Sequence, residues 1–118
     1  MGDQAVAAAR EMLDALAGFN AEQRAAGGPT LAIGIGLHVG PAFVGYVGAT
    51  HRHEYSAIGD TVNVAARLEG LTKEVGRPIV ISAELRARLA DPSGFECMGS
   101  RAIKGRSAME VYGWTAQA

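Results

Sequence analysis

The sequence has one cysteine, no long apolar run and almost no excess charge, and each scarcity excludes a class of protein. Cys97 has no second cysteine with which to form an internal disulfide, and no Cys or His companion at zinc-site spacing. No apolar run approaches the roughly 20 residues that cross a bilayer, and a signal-peptide pattern is absent. The formal net charge of −1 gives no reason to expect a nucleic-acid partner or direct membrane contact. The simplest expectation is a cytoplasmic protein.

Glycine, in contrast, is abundant and unevenly placed. Sixteen of the 118 residues are glycine, and many of them cluster between Gly34 and Gly48. Because glycine permits positive φ and close approach of two backbones, the cluster predicts tight hairpins or crowded packing on a sheet. Its spacing does not match the dinucleotide-binding fingerprint. With 48% hydrophobic and 19% charged residues, the composition is typical of one small folded domain over residues 1–118.

Hydrophobic periodicity predicts the order of the elements. A first helix is expected from its cap Asp3 to about Ala26, with an apolar stripe made of Val6, Ala9, Leu13, Leu16 and Phe19. A strand follows from Thr30 to Val39, and a second helix begins at Asp60 or Thr61. Further strands are predicted over residues 42–47, 54–58, 78–81, 95–103 and 109–114, with a short helix over residues 83–89 capped by Ser82.

This layout predicts the α+β class, with a mostly antiparallel sheet and helices packed on one face. The chain opens on a helix that no strand precedes, so we expect the sheet to lack its N-terminal strands, as in a truncated piece of a larger domain. Strand edges exposed by such a truncation would favour swapping or tight dimerisation.

The second helix carries the pair of side chains with the clearest chemical use. Asn63 and Arg67 are four residues apart and therefore share one helical face. An amide can orient a hydroxyl or ring oxygen, and a guanidinium pairs with phosphate through two parallel hydrogen bonds. The pair suits a phosphoryl-transfer transition state, whose charge spreads over nonbridging oxygens. Spacing alone favours a plainer role, with Asn63 solubilising the helix and Arg67 paired to Glu69 or Asp60.

Several motifs, in this order, resemble the class III nucleotidyl cyclases, the adenylyl and guanylyl cyclases. They are IGIGLHVGP at 33–41, Gly45-x-x-Gly48, YSAIGDTVNVAARLE at 55–69, IVIS at 79–82, IKGR at 103–106 and Val111-Tyr112. The resemblance covers nearly the whole chain. It implies a partial ferredoxin-like cyclase fold and, for residues 1–118, the C-terminal part of a catalytic domain of the bacterial adenylyl cyclase type.

The resemblance also implies roles for four residues. Asn63 and Arg67 match the family's transition-state pair, with Asn63 positioning the ribose and Arg67 stabilising phosphate charge. Lys104 falls where the family has a lysine that contacts the terminal phosphates. Ser56 occupies the position that reads the purine, where many adenylyl cyclases have Asp and a bacterial subgroup has Thr or Ser. Taken without the resemblance, Lys104 is a solvated turn residue and Ser56 a strand hydroxyl bonded to neighbouring backbone.

The metal-binding half of the family's site is missing from the sequence. The family holds two Mg²⁺ or Mn²⁺ ions with two aspartates on strands that precede this chain's first helix, and neither aspartate motif is present. His51 and His53 flank Arg52 without further ligands, so we predict no metal ligand in this chain. In this family each active site lies between two catalytic domains. The resemblance therefore implies a homodimer or a complementary cyclase domain, and an isolated chain that is inactive.

These inferences predict an adenylyl cyclase fragment. Its parent would convert ATP to 3′,5′-cyclic AMP and pyrophosphate by two-metal attack of the ribose 3′-hydroxyl on the α-phosphorus. One alternative is a catalytically inactive pseudo-cyclase module that binds nucleotide or dimerises. Another is a guanylyl cyclase, because Ser56 alone does not exclude guanine. A third is a structural α+β domain in which the Asn–Arg pair is incidental.

Overall fold

The structure is a computed structural model, and it describes residues 2–39, 43–48, 60–103 and 106–115. Its elements are α1 (Gly2–Ala26), β1 (Gly34–Val39), β2 (Phe43–Gly48), α2 (Asp60–Val75), β3 (Ile79–Ser82), α3 (Ala83–Arg86), a 3-10 turn (Pro92–Gly94), β4 (Phe95–Ile103) and β5 (Arg106–Trp114). The strands form one sheet in the order β2-β1-β3-β5-β4. β1 and β3 run parallel, and the other neighbouring pairs run antiparallel. The predicted α+β class and mostly antiparallel sheet are confirmed.

The helices cover both faces of this sheet. Ile35 and Ile79 lie in a core that they share with Val6 of α1 and Leu85 of α3. Val80, whose side chain points to the other side of β3, lies in a second core formed with the apolar side of α2. The expectation that the helices share one face therefore needs correction. Because β3 is apolar on both sides, each side is stabilised by a covering helix.

The apolar stripe predicted for α1 is only partly buried. Val6 and Ala9, near the start of the helix, are 9% and 2% exposed. Phe19, further along the same stripe, is 42% exposed, and the neighbouring Met12 is 40% exposed. The N-terminal part of α1 therefore packs on the sheet, while its C-terminal part extends beyond the core.

Two side-chain contacts explain where the structure departs from the predicted boundaries. Asp3 is not the cap of α1, since the helix begins at Gly2; its carboxylate accepts a hydrogen bond from the N–H of Ala90 at 3.0 Å. Asn20 donates from Nδ2 to the carbonyl of Leu31 at 2.8 Å and accepts from the N–H of Leu31 at 2.9 Å. Leu31 is thereby attached to α1, and β1 begins at Gly34, four residues later than predicted, where its pairing with Gly48 of β2 begins.

Other boundaries agree with the sequence. β4 has the predicted limits, and the Oγ of Ser82 caps α3 by accepting from the N–H of Leu85 at 3.2 Å. The strand predicted over residues 54–58 lies outside the described residues. Within the described part of the chain, no helix combines the length and apolarity that a membrane span requires.

Candidate functional site

α2 lies directly on the backbone of β1, because glycines occupy the positions that the helix crosses. A Cβ atom added at Gly36 would collide with backbone atoms of Ala65 and Glu69. One added at Gly34 would collide with the side chain of Thr72. The glycine cluster thus provides the close packing on a sheet that the sequence predicted. This contact fixes which side of α2 is turned away from the sheet.

Asn63 and Arg67 lie on that outward side. Asn63 is exposed, and the side chain of Arg67 keeps 39% of its surface accessible. Helical geometry separates the two residues by about 40° around the axis and about 6 Å along it. Neither side chain is enclosed in the core, so both are accessible to a ligand in solution.

The guanidinium of Arg67 makes two contacts within the described part of the chain. Its Nε donates to the carbonyl oxygen of Ala102 at 3.3 Å, and its Nη1 lies 3.4 Å from Oε2 of Glu74. The acid beside Arg67 is therefore Glu74, whereas Glu69, which the sequence suggested, is buried at 5% exposure. Ala102 precedes Lys104 by two residues, so the contact brings Arg67 to the strand that leads to this lysine.

The other two predicted site residues, Ser56 and Lys104, lie outside the described residues. Ile103 and Arg106, which lie on either side of Lys104 in the sequence, pair at the ends of β4 and β5. The roles suggested for Ser56 and Lys104 stay predictions.

The described residues hold no large cluster of metal-ligand side chains. Among them, no group of three or more His, Cys, Asp or Glu side chains is close enough to hold a metal ion. His38 is 3% exposed, and its Nδ1 is hydrogen-bonded to the Oγ of Ser82 at 2.8 Å, a packing role consistent with its place in β1. We therefore derive no chemical step through a metal bound to this chain. That the ligands come from another region stays a prediction.

A cavity of about 390 Å³ lies on the opposite side of the sheet, between α1 and the turn at Pro92–Gly94. Its lining includes Arg10 and Trp114, and the Arg10 guanidinium lies 4.9 Å from the centre of the Trp114 ring. Neither Asn63 nor Arg67 lines this cavity. The candidate site is therefore the outward surface of α2.

Similarity to known proteins identifies the family to which the chain belongs. The family described as adenylate and guanylate cyclase catalytic domain matches residues 3–115. The chain belongs to this family. The predicted resemblance is thereby confirmed, and the helix that carries Asn63 and Arg67 lies within the matched range.

Individual cyclases show the same similarity. Adenylate cyclase 1 of Rhizobium meliloti (strain 1021) is 44% identical over 106 residues, which cover 89% of this chain and 16% of that protein. The adenylate cyclase of Anabaena cylindrica is 39% identical over 118 residues, which cover 93% of this chain and 24% of that protein. The solved structure of a bacterial light-regulated adenylyl cyclase aligns with a TM-score of 0.47 and 28% identity, over 69% of this chain and 23% of that one. The cyclase domain described here thus spans at most 24% of these relatives' length.

The sequence analysis missed the two partners of Arg67. Glu74 follows Arg67 by seven residues, close to two helical turns, so helical spacing could have placed both on one face. The carbonyl of Ala102 carries no such signal, because any residue has a carbonyl and the contact spans 35 residues of sequence.

Proposed function

We propose that residues 1–118 form the C-terminal part of an adenylyl cyclase catalytic domain, whose whole protein converts ATP to 3′,5′-cyclic AMP and pyrophosphate. The observation that carries this proposal is the accessible Asn63–Arg67 face of α2, in a chain that matches the cyclase family over residues 3–115. Relatives named adenylate cyclase support ATP as the substrate.

In the proposed reaction, the ribose 3′-hydroxyl attacks the α-phosphorus and pyrophosphate leaves. Negative charge then develops on the nonbridging oxygens, and the guanidinium of Arg67 stabilises it through charge-assisted hydrogen bonds. Asn63 lies about 6 Å nearer the helix N-terminus, and its amide can both donate to and accept from the ribose.

Lys104 would contact the terminal phosphates and Ser56 the purine, which completes one half of a cyclase site. Mg²⁺ or Mn²⁺ and the residues that hold them would belong to the other half. That half would come from a second catalytic domain, in a homodimer or in a pair with a complementary cyclase domain. The chain by itself would then have no cyclase activity.

A complementation assay tests this proposal. The chain is mixed with a cyclase domain that keeps its metal-binding aspartates but carries Ala in place of its own Asn and Arg, and cyclic AMP formation from ATP is measured with Mn²⁺. We expect no turnover by either protein alone and turnover by the mixture. Arg67→Ala should lower that turnover about 100-fold, whereas Arg24→Ala, at an exposed position on α1, should leave it unchanged.

Each other outcome contradicts a definite part of the proposal. Turnover by the chain alone would refute the proposal that it supplies only one half of a cyclase site. Nucleotide binding without complementation would support the pseudo-cyclase alternative, and faster turnover of GTP than of ATP would support the guanylyl alternative. Full turnover with Arg67→Ala would show that the Asn–Arg pair is incidental.

A further inference from the structure

Arg67 is held by an acid of its own helix. Glu74 is seven residues further along α2, which corresponds to about 10 Å along the axis, and its Oε2 lies 3.4 Å from Nη1 of Arg67. The side chain of Glu74 leans toward the N-terminus, as helical side chains usually do, but it is too short to span that distance alone. Arg67 must therefore extend toward the C-terminal end of α2 to make this contact. Its guanidinium consequently points away from Asn63.

We propose that Glu74 is an autoinhibitory competitor for Arg67. The carboxylate of Glu74 and the phosphates of a nucleotide are both anions, and both are suited to the same guanidinium. Binding of a polyphosphate at Arg67 would therefore require that Glu74 be displaced. This inference rests on the proposed function, because it takes Arg67 to be the phosphate-binding residue.

Because Arg67 also contacts β4, a phosphate group can replace Glu74 while the Arg67 side chain stays ordered. The Nε of Arg67 donates to the carbonyl of Ala102 at 3.3 Å, and this bond does not depend on Glu74. Within the described residues, Nη2 makes no hydrogen bond or ion pair. When Glu74 is displaced, Nη1 and Nη2 together can face a phosphate group while Nε stays bound to the strand.

The exposure of the pair sets the size of the expected effect. The side chains of Arg67 and Glu74 are 39% and 51% exposed, and solvent weakens an ion pair of this kind. A polyphosphate can therefore displace the carboxylate. Removing the competing charge should raise the affinity for polyphosphate about two- to fivefold. Since salt screens exposed charges, this gain in polyphosphate affinity should become smaller as ionic strength rises.

The test measures binding of inorganic tripolyphosphate to the chain, by NMR titration of the arginine Nε–H signals and by calorimetry. The proteins compared are the unaltered chain, Glu74→Gln, Arg67→Ala and the double variant. Glu11→Gln is the control, since it removes an exposed carboxylate from α1 on the other face of the sheet. We expect Glu74→Gln to bind two- to fivefold more tightly, Arg67→Ala to bind more weakly, the double variant to match Arg67→Ala, and the control to match the unaltered chain.

The outcomes separate this inference from the proposed function. If Arg67→Ala weakens binding but Glu74→Gln does not strengthen it, Glu74 is no competitor and the role of Arg67 stands. If Glu74→Gln strengthens binding equally in the Arg67→Ala background, or if Glu11→Gln has the same effect, the gain is a general charge effect and the inference is wrong. If Arg67→Ala binds as tightly as the unaltered chain, or if no protein binds tripolyphosphate, Arg67 takes no phosphate in this chain and the inference is wrong, while the complementation assay still decides the proposed function.

Discussion

α2 and α1 cover opposite faces of one sheet but are attached to it in different ways. α2 lies against the glycine backbone of β1, and its inward side is completely buried through Val64, Ala65, Leu68 and Leu71. α1 buries few apolar side chains and exposes Phe19. Its attachment includes side-chain hydrogen bonds near each end, from Ala90 to Asp3 and between Asn20 and Leu31.

The difference shows what orients the candidate site. A helix whose backbone touches a strand cannot rotate without a collision, so the glycines of β1 fix the direction in which Asn63 and Arg67 point. α1 has no comparable constraint along its C-terminal part. The comparison predicts that α2 tolerates almost no change at its contact with the sheet, whereas α1 responds to individual hydrogen bonds and to helix propensity.

The largest effect is expected at Gly36. Replacing Gly36 by Ala would place a Cβ against backbone atoms of Ala65 and Glu69, and within 2.9 Å of the carbonyl carbon of Leu68. Backbone cannot move aside as a flexible side chain can, so we expect the free energy of unfolding to fall by about 3 kcal/mol or more. Urea unfolding followed by circular dichroism measures this change.

Gly70→Ala is the matched control, since no atom of the described residues lies within 4 Å of a Cβ added at this exposed position of α2. It should stabilise the chain by about 0.5–1 kcal/mol, because Ala is the better helix former. Equal unfolding free energies for Gly36→Ala and the unaltered chain would show that α2 can shift freely on β1.

A smaller effect is expected at Asn20, which binds both backbone groups of Leu31. Asn20→Ala removes two hydrogen bonds and leaves a partly buried N–H and carbonyl without these partners. We expect the free energy of unfolding to fall by about 2 kcal/mol, and the amide of Leu31 to exchange its hydrogen faster. Glu22→Ala, an exposed change two residues away, should stay within about 0.5 kcal/mol. Because Ala is a better helix former than either Asn or Glu, a loss as large for Glu22→Ala as for Asn20→Ala would mean that the Asn20 contact has no specific role in holding this segment.

Gly18 tests the uncovered part of α1 with a still smaller effect. Within the part of the chain that the structure describes, no atom lies within 4 Å of a Cβ added at Gly18, so Gly18→Ala should stabilise the helix by up to about 1 kcal/mol. Gly27→Ala is the contrasting variant. Gly27 has a φ of +75° at the helix end, a conformation that disfavours Ala, so this substitution should destabilise the chain by about 1 kcal/mol. Thermal unfolding gives both values. Destabilisation by Gly18→Ala would indicate that this side of α1 is covered in solution.

The sequence predicts well those features whose signals are local. The limits of β4, the start of α2 and the cap at Ser82 follow from periodicity and capping chemistry within a few residues. Asn63 and Arg67 could be singled out as candidate site residues because the cyclase motif selects them, whereas helical spacing alone favours a plainer role. Family membership was predictable for the same reason, since its motifs are short and ordered along the chain.

Features that depend on distant contacts could not be predicted in this way. The division of the helices between two faces is settled by tertiary packing, although the apolar run Ile79–Ile81 already indicates a strand buried on both sides. The contact of Arg67 with Ala102 joins residues 35 apart, through a backbone carbonyl that carries no sequence signal.

The smallest effect on stability is expected in acid, at the turn that follows α3 and lies near the start of α1. The Oδ1 of Asp91 accepts from the hydroxyl of Ser93 at 2.6 Å and from its N–H at 3.1 Å, and these bonds hold the pKa of Asp91 below its ordinary value. A lowered folded pKa means that the stabilisation is complete above the ordinary value, near 4, and is lost as pH falls through the lowered value. The difference in unfolding free energy between the unaltered chain and Asp91→Asn should therefore be constant from pH 7 to about pH 5 and shrink in stronger acid. Glu22→Gln, an exposed change on α1, controls for the loss of one carboxylate. A difference that does not vary with pH would show that the charge of Asp91 contributes nothing to this turn.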